Sequence, residues 1–299
     1  MIYNGKFKNV PAICIESKKL LAHCLPDYGC KLVSLIDKET DYQLLAQDVS
    51  AEYLPQTPTG NYADSEVSGF DDMFPTIDPC TYKNYYPCHG EVCRVKHEYE
   101  ISHDLLITRY ASPVFDYTYE KIISTGEKGE INISYKITNI GDEKLVCLWA
   151  GHIMLSGEYG GYATVPFSKD SLVEIMFDKE SKYGKAGDVI RMNGNLLRQG
   201  EYAPDGNQYK YYFTEAIKEG KCCFFNPKIG KKIYIRYDGD KLPYLGIWIN
   251  DGGFKDMYNF AFEPSTLPFD SPMNAKDRNL NFAIDAGKAY EFSITIDVE

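Results

Sequence analysis

The chain has 299 residues, of which 44% are hydrophobic and 25% charged, and its formal net charge is -11. That length is ample for a sizeable apolar core, and the proportions are those of ordinary soluble globular proteins. The acidic balance argues against nucleic acid or an anionic membrane as partner, because both demand a basic surface.

The N-terminal MIYNGKFKNV lacks the apolar core of a secretory signal, and no run approaches the length that spans a bilayer. The 9 cysteines, an odd number that includes the adjacent Cys222 and Cys223, do not suit a disulfide framework, which uses even counts. The expectation is a cytoplasmic protein with reduced thiols. The stretch 61–93 is rich in Pro, Asp, Gly and Tyr and shows little alternation. It predicts a long ordered loop or a set of short turns, a kind of segment that often carries function. Cys80, Cys88, His89, Cys93 and His97 cluster in and just beyond it, but their spacing matches no standard zinc pattern, so no metal site is expected.

Further along, period-two alternation dominates. In EINISYKIT, Ile131, Ile133, Tyr135 and Ile137 share one face; in KKIYIRY, Ile233 and Ile235 do; in AYEFSITIDV, Tyr290, Phe292, Ile294, Ile296 and Val298 do. Such alternation marks half-buried strands. STGEKGE, TNIGDEK and YDGDKLP follow or divide these runs and read as hairpin turns. No long helical period, nucleotide-binding glycine pattern or zincin motif is present. The prediction is all-β, a large antiparallel β-sandwich, forming a single domain over 1–299.

Two apolar runs each hold one ionisable residue. In LWAGHIML (148–155), Trp149, Gly151, Ile153 and Leu155 share one face and Leu148, Ala150, His152 and Met154 the other. Both faces are apolar, so the strand should be covered on both sides. His152 is then either a core histidine satisfied by a carbonyl or a group aimed at a ligand. In NFAFEPST (259–266), Glu263 follows an apolar triplet and precedes Pro264, which should place it near a strand end. Glutamate is almost never fully buried unless paired, so it is either an exposed rim residue or a working group. His89, in YPCHGEV, sits beside Gly90, which permits close backbone approach. The two tryptophans, Trp149 and Trp248, lie in the segments leading to these residues and could form a platform for a sugar face, though aromatic rings more often pack in a core.

Taken in order, these segments resemble the aldose 1-epimerase, or galactose mutarotase-like, superfamily. LPDYGCKLVSLIDKETDYQLL (25–45) resembles its opening hairpin, SGFDDMFPTIDP (68–79) a loop of its divergent members, and CHGEV the segment with its first histidine. LWAGHIML is similar to the segment with its second histidine, and LGIWIN with FAFEPST to the strand pair that ends in its glutamate. The resemblance implies a galactose mutarotase-like supersandwich and interconversion of the α and β anomers of a hexose or related sugar, without metal or organic cofactor. It implies Glu263 as general base, His152 as general acid and His89 as a second histidine at the ring oxygen. Classical members carry Asn before the acid histidine and Tyr-Phe-Asn after it, whereas here Gly151 precedes His152 and Ile153-Met154-Leu155 follow. Asp71 or Asp72 could bind sugar hydroxyls from the loop, and Arg94 lies close in sequence to His89. No clustered Arg/Lys motif declares a phosphate site, and a sugar phosphate stays the alternative substrate. The competing functions are a non-catalytic carbohydrate-binding protein and a glycoside hydrolase. A hydrolase normally needs two carboxylates, where these segments offer one carboxylate and a histidine.

Overall fold

A computed structural model describes residues 1–57, 60–200 and 204–299. The alternating runs become strands with the predicted faces inward. Ile131, Ile133, Tyr135 and Ile137 are buried, and so are Ile233, Ile235, Phe292, Ile294, Ile296 and Val298, while Tyr290 is half-buried. Together these strands lie in an eight-stranded sheet that packs face to face on a twelve-stranded one, with a single core cluster drawing residues from both. Contacts such as Trp149 on Phe292 and Phe260 on Phe224 cross the interface. This is the predicted all-β sandwich, with one short α-helix, Pro272–Asp277. Among the described residues no helix is long and apolar enough to cross a membrane.

Of the three turn signals, only STGEKGE closes a hairpin, joining Tyr117–Thr125 to Ile131–Asn139. YDGDKLP instead carries the chain from Lys231–Tyr237 in the smaller large sheet to Tyr244–Asp251 in the other. TNIGDEK leads into Leu145–Val146, which pairs with the distant Ala283–Ile284. Turn residues specify a local reversal; which sheet the next strand joins depends on its own apolar face.

The stretch 61–93 differs more. Turns and a small hairpin, Cys80–Tyr82 with Asn84–Tyr86, occupy part of it. Phe70–Met73, however, is a strand in the middle of the larger sheet, between Lys31–Asp37 and Ala150–Ser156. Asp71 and Asp72 are therefore strand residues rather than loop residues. Beyond them the sheet continues through Tyr258–Ser265, Tyr244–Asp251, Asn207–Phe213 and Leu172–Asp178. Its outer face is covered by chain segments around two small apolar clusters. One gathers Met73, Leu148, Ala150, Leu267 and Ala275; the other gathers Val67, Met154, Met257 and Ala261. A polar row runs between them.

Candidate active site

The register of the larger sheet builds this row. Ala150 pairs with Ser265 and Ile153 with Phe262, which sets His152 opposite Glu263. On its other side His152 pairs with Asp71, and Glu263 pairs with Gly246, which pairs with Tyr212. Because side chains alternate across a strand, Trp149, Ile153 and Leu155 enter the inter-sheet core, whereas His152 stands on the outer face. Phe260 and Phe262 likewise leave Glu263 on the outer face. The Glu263 strand continues to Ser265, two residues beyond the glutamate and through Pro264.

A cavity of about 330 Å³ opens over this row, lined among others by Tyr62, His89, His152, Lys210, Trp248, Glu263 and Asp270. His152 Nε2 lies 3.8 Å from Glu263 Oε1. Neither His152 Nδ1 nor Glu263 Oε1 has a hydrogen-bond partner among the described residues; an orphaned buried polar atom needs an account, which at these two residues the cavity above can provide. Glu263 Oε2 accepts from Lys210 Nζ at 2.6 Å, and Lys210 also reaches Asp270 Oδ1 at 2.8 Å. Tyr212 donates to the same Asp270 oxygen at 2.9 Å. Gly246 makes room for that arrangement, since a Cβ there would come within 2.7 Å of the Tyr212 ring. The Trp248 ring is 5.5 Å from that of His152, and His89 stands edge-on to His152 at 6.0 Å. His89 holds a left-handed backbone, φ 60°, and stacks on Tyr62 at 3.8 Å. A Cβ at Gly90 would collide with the backbone of Phe74, so the glycine lets this loop press against the sheet.

Burial sets the protonation of these groups. It raises the Glu263 carboxyl to about 6, with Asp270 adding to the rise and Lys210 opposing it. It lowers His152 to about 3, with Lys210 and Lys31 acting in the same direction. His89 is pushed well below its usual range, chiefly by burial and then by His152 and nearby cations. Near neutral pH the site therefore holds two neutral imidazoles beside a carboxylate that titrates close to the working range.

The structure brings Glu263, His152, His89 and Trp248 to one cavity. Four other candidates lie outside its lining. Trp149 is buried in the inter-sheet core, where its Nε1 donates to the Tyr119 hydroxyl at 2.9 Å, because strand parity turns it away from His152. Asp72 faces the same core and is held by Lys121 at 2.8 Å and the Tyr135 hydroxyl at 2.9 Å. Asp71 shares the outer face with His152 but is sealed behind it, paired with Lys31 at 3.0 Å and the Tyr62 hydroxyl at 2.8 Å. Arg94 is buried and committed to backbone carbonyls of Thr57, Gly60 and Cys88, so it shapes the loop that carries His89. Lys210, Tyr212 and Asp270 were missing from the sequence reading. NQYKYYF does hold a signal: Tyr209, Tyr211 and Phe213 face the core, leaving Lys210 as an isolated cation on an aromatic strand, the same anomaly that marks Glu263.

A larger hollow, about 640 Å³, lies on the outer face of the eight-stranded sheet. Its floor is a cross-strand ladder of alternating charge, Glu98, Arg109, Glu120 and Lys136. There Arg109 is paired with Glu100 and Glu120 at the exposed surface. Solvated pairs of this sort do not resemble a reactive centre, and the smaller cavity has the desolvated, convergent groups.

No protein-family model and no curated protein matches the sequence. Solved structures do match the fold. The Slr1438 protein from Synechocystis sp. PCC 6803 aligns over 99% of either chain, with a TM-score of 0.71 and 16% identity. A galactose mutarotase-like protein from Lactobacillus casei ATCC 334 aligns over 96% of this chain and 100% of its own, with a TM-score of 0.68 and 18% identity. Another galactose mutarotase-like protein, from Clostridium acetobutylicum, covers 100% of this chain and 98% of its own, with a TM-score of 0.67 and 15% identity. The architecture that the motifs of this chain resemble is thus the one it adopts, and its fold is that of the galactose mutarotase-like proteins.

Proposed function

We propose that the protein interconverts the α and β anomers of an aldose by opening and reclosing the sugar ring, with Glu263 as general base and His152 as general acid. The observation that carries this reading is the pairing of the two side chains across adjacent strands, 3.8 Å apart, with unpartnered polar atoms under one cavity. Ring opening moves a proton from the C1 hydroxyl to the ring oxygen. Glu263 Oε1, which has no partner, accepts the first proton. His152 is neutral in the free protein, so it presents an imidazole N–H to the ring oxygen and transfers that proton as the C1–O bond breaks, becoming an imidazolate that takes the proton back from the new hydroxyl when the ring recloses. A neutral histidine can serve as such an electrophile when burial keeps it uncharged. Rotation about C1–C2 exposes the other face of the aldehyde, and reclosure runs the same transfers backward. His89, edge-on to His152, supplies a second donor on the ring-oxygen side. Trp248 offers an aromatic face to the sugar.

The lining sets Asp78, Glu263 and Asp270 against Lys210 as its charged groups, and Lys210 is already paired twice. That balance supports a sugar without a phosphate. The test is the decay of optical rotation of pure anomers, over a panel of free aldoses and their 6-phosphates, with affinity measured by calorimetry. The wild type should accelerate the decay for at least one free aldose, and His152→Asn should lose most of that acceleration while still binding. Unchanged rates in both His152→Asn and Glu263→Gln would make these residues structural. Binding without acceleration in the wild type would make the protein a carbohydrate binder.

A further inference from the structure

We infer that Lys210 is a positioning residue for this reaction: clamped between Glu263 and Asp270, it holds Glu263 as a carboxylate and leaves Oε1 free beside His152. The inference rests on the anomer-exchange reading for its role in catalysis, but the clamp itself stands on geometry. Lys210 pairs in register with Trp248, which pairs with Ala261, so it belongs to the next row along the sheet from Glu263. Its stem must lean back across that step to bring Nζ within 2.6 Å of Oε2 and 2.8 Å of Asp270. Asp270 comes from the segment after the Glu263 strand and is fixed by Tyr212, whose ring also underlies the Lys210 ammonium at 5.3 Å. One oxygen of Glu263 is thereby occupied and the other left without a partner. A base with one anchored and one open oxygen is positioned for a single proton transfer.

The surrounding charges explain why a lysine is needed. Glu263 is fully buried, and burial favours the protonated acid, which is useless as a base. The groups facing it are His152 on the adjacent strand, His89 on the loop above, Tyr212 beyond Gly246, and Asp270, with Asp78 also in the cavity lining. Both histidines are held neutral, the Tyr212 phenol is pushed far up by burial, and Asp270 opposes ionisation of Glu263. Lys31 lies beyond His152 and is neutralised by Asp71. Among the described residues Lys210 is the one cation paired with Glu263, and it is itself kept charged by its two carboxylates.

The experiment is Lys210→Met in the full chain, with Lys210→Arg and Asp270→Asn beside it and folding checked by circular dichroism. An opposite charge at this range shifts a carboxyl by about 1–3 units. The acid limb of the rate profile should therefore move up by about one to two units in Lys210→Met, with roughly a twofold to tenfold loss at neutral pH that is recovered on raising the pH. Asp270→Asn should move the limb the opposite way, and Lys210→Arg should keep it near the wild-type position. A loss of rate equal at every pH, with the limb unmoved, would overturn the assignment and leave Lys210 a structural residue. The Glu263 carboxyl is also titrated directly by isotope-edited infrared spectroscopy, using Glu263→Gln as the blank. If that titration depends on Lys210 while the wild type accelerates no sugar, the clamp stands and the anomer-exchange reading falls. If Glu263 titrates at the same pH with and without Lys210, the clamp falls whatever the enzyme does.

Discussion

Two lysine–carboxylate clusters sit on opposite faces of the same sheet, and their difference separates structure from chemistry. Asp72 faces the inter-sheet core, where Lys121 holds one oxygen and Tyr135 the other. Lys121 also donates to the Cys30 carbonyl, and both charged side chains are closed off from solvent. Glu263 is equally buried, yet it retains an unpartnered oxygen, a neutral histidine 3.8 Å away and a cavity above. Burial alone does not distinguish the two; an unfilled hydrogen-bond valence together with access from a cavity does. A buried pair whose hydrogen bonds are complete stabilises or specifies the fold, and removing one partner exposes the cost of the other charge. Asp71 also keeps one oxygen without a partner among the described residues but is sealed from the cavity, so it is an open oxygen under a cavity, as at Glu263, that marks a group available to something arriving from outside.

Crossed substitutions test this contrast. The largest effect is expected from Glu263→Gln, which should lower the anomerisation rate by about 10² to 10⁴-fold while leaving the denaturation midpoint close to that of the wild type, because Lys210 keeps Asp270 as a partner. Asp72→Asn should do the reverse. It strands Lys121 in the core and should cost about 3–5 kcal/mol in urea unfolding, with the turnover of the folded fraction unchanged. Replacing both partners, Asp72→Leu with Lys121→Met, should recover much of that loss, since well-packed apolar residues can substitute for a buried pair. An Asp72→Asn variant with full stability and no activity would reverse the roles assigned to the two clusters.

The third effect is smaller. Trp248→Ala should weaken sugar binding by roughly tenfold, about 1.4 kcal/mol, with little change in the bound-state rate, because in the proposed reaction the ring would contact the substrate face and not the moving protons. Calorimetry and saturation kinetics separate the two. The smallest effect belongs to the charge ladder on the far sheet. Arg109→Ala should leave both the unfolding midpoint and the rate unchanged within measurement, because solvent screens its pairs with Glu100 and Glu120. A change in turnover there would direct attention to the larger hollow.

Alternation in the chain was enough to predict the sandwich and the inward faces of its strands, because period two maps directly onto the two sides of a pleated sheet. The same parity placed His152 opposite in sense to Trp149 within LWAGHIML, and the isolation of Glu263 in FAFEPST marked it as unusual. What parity does not give is the partner on the next strand. Asp71 and Asp72 are neighbours in sequence but point to opposite faces, and their lysines come from 40 and 49 residues away. Lys210 reaches Glu263 across 53 residues and a step of sheet register. Only the order and register of strands bring such charges together, because electrostatic pairing acts through space at a few ångströms and leaves no periodic trace along the chain. For that reason Glu263 and His152 were legible as anomalies in single segments, whereas the pairing of Lys210 with Glu263 and Asp270 and the sealed fate of the two aspartates were decided by the assembled sheet.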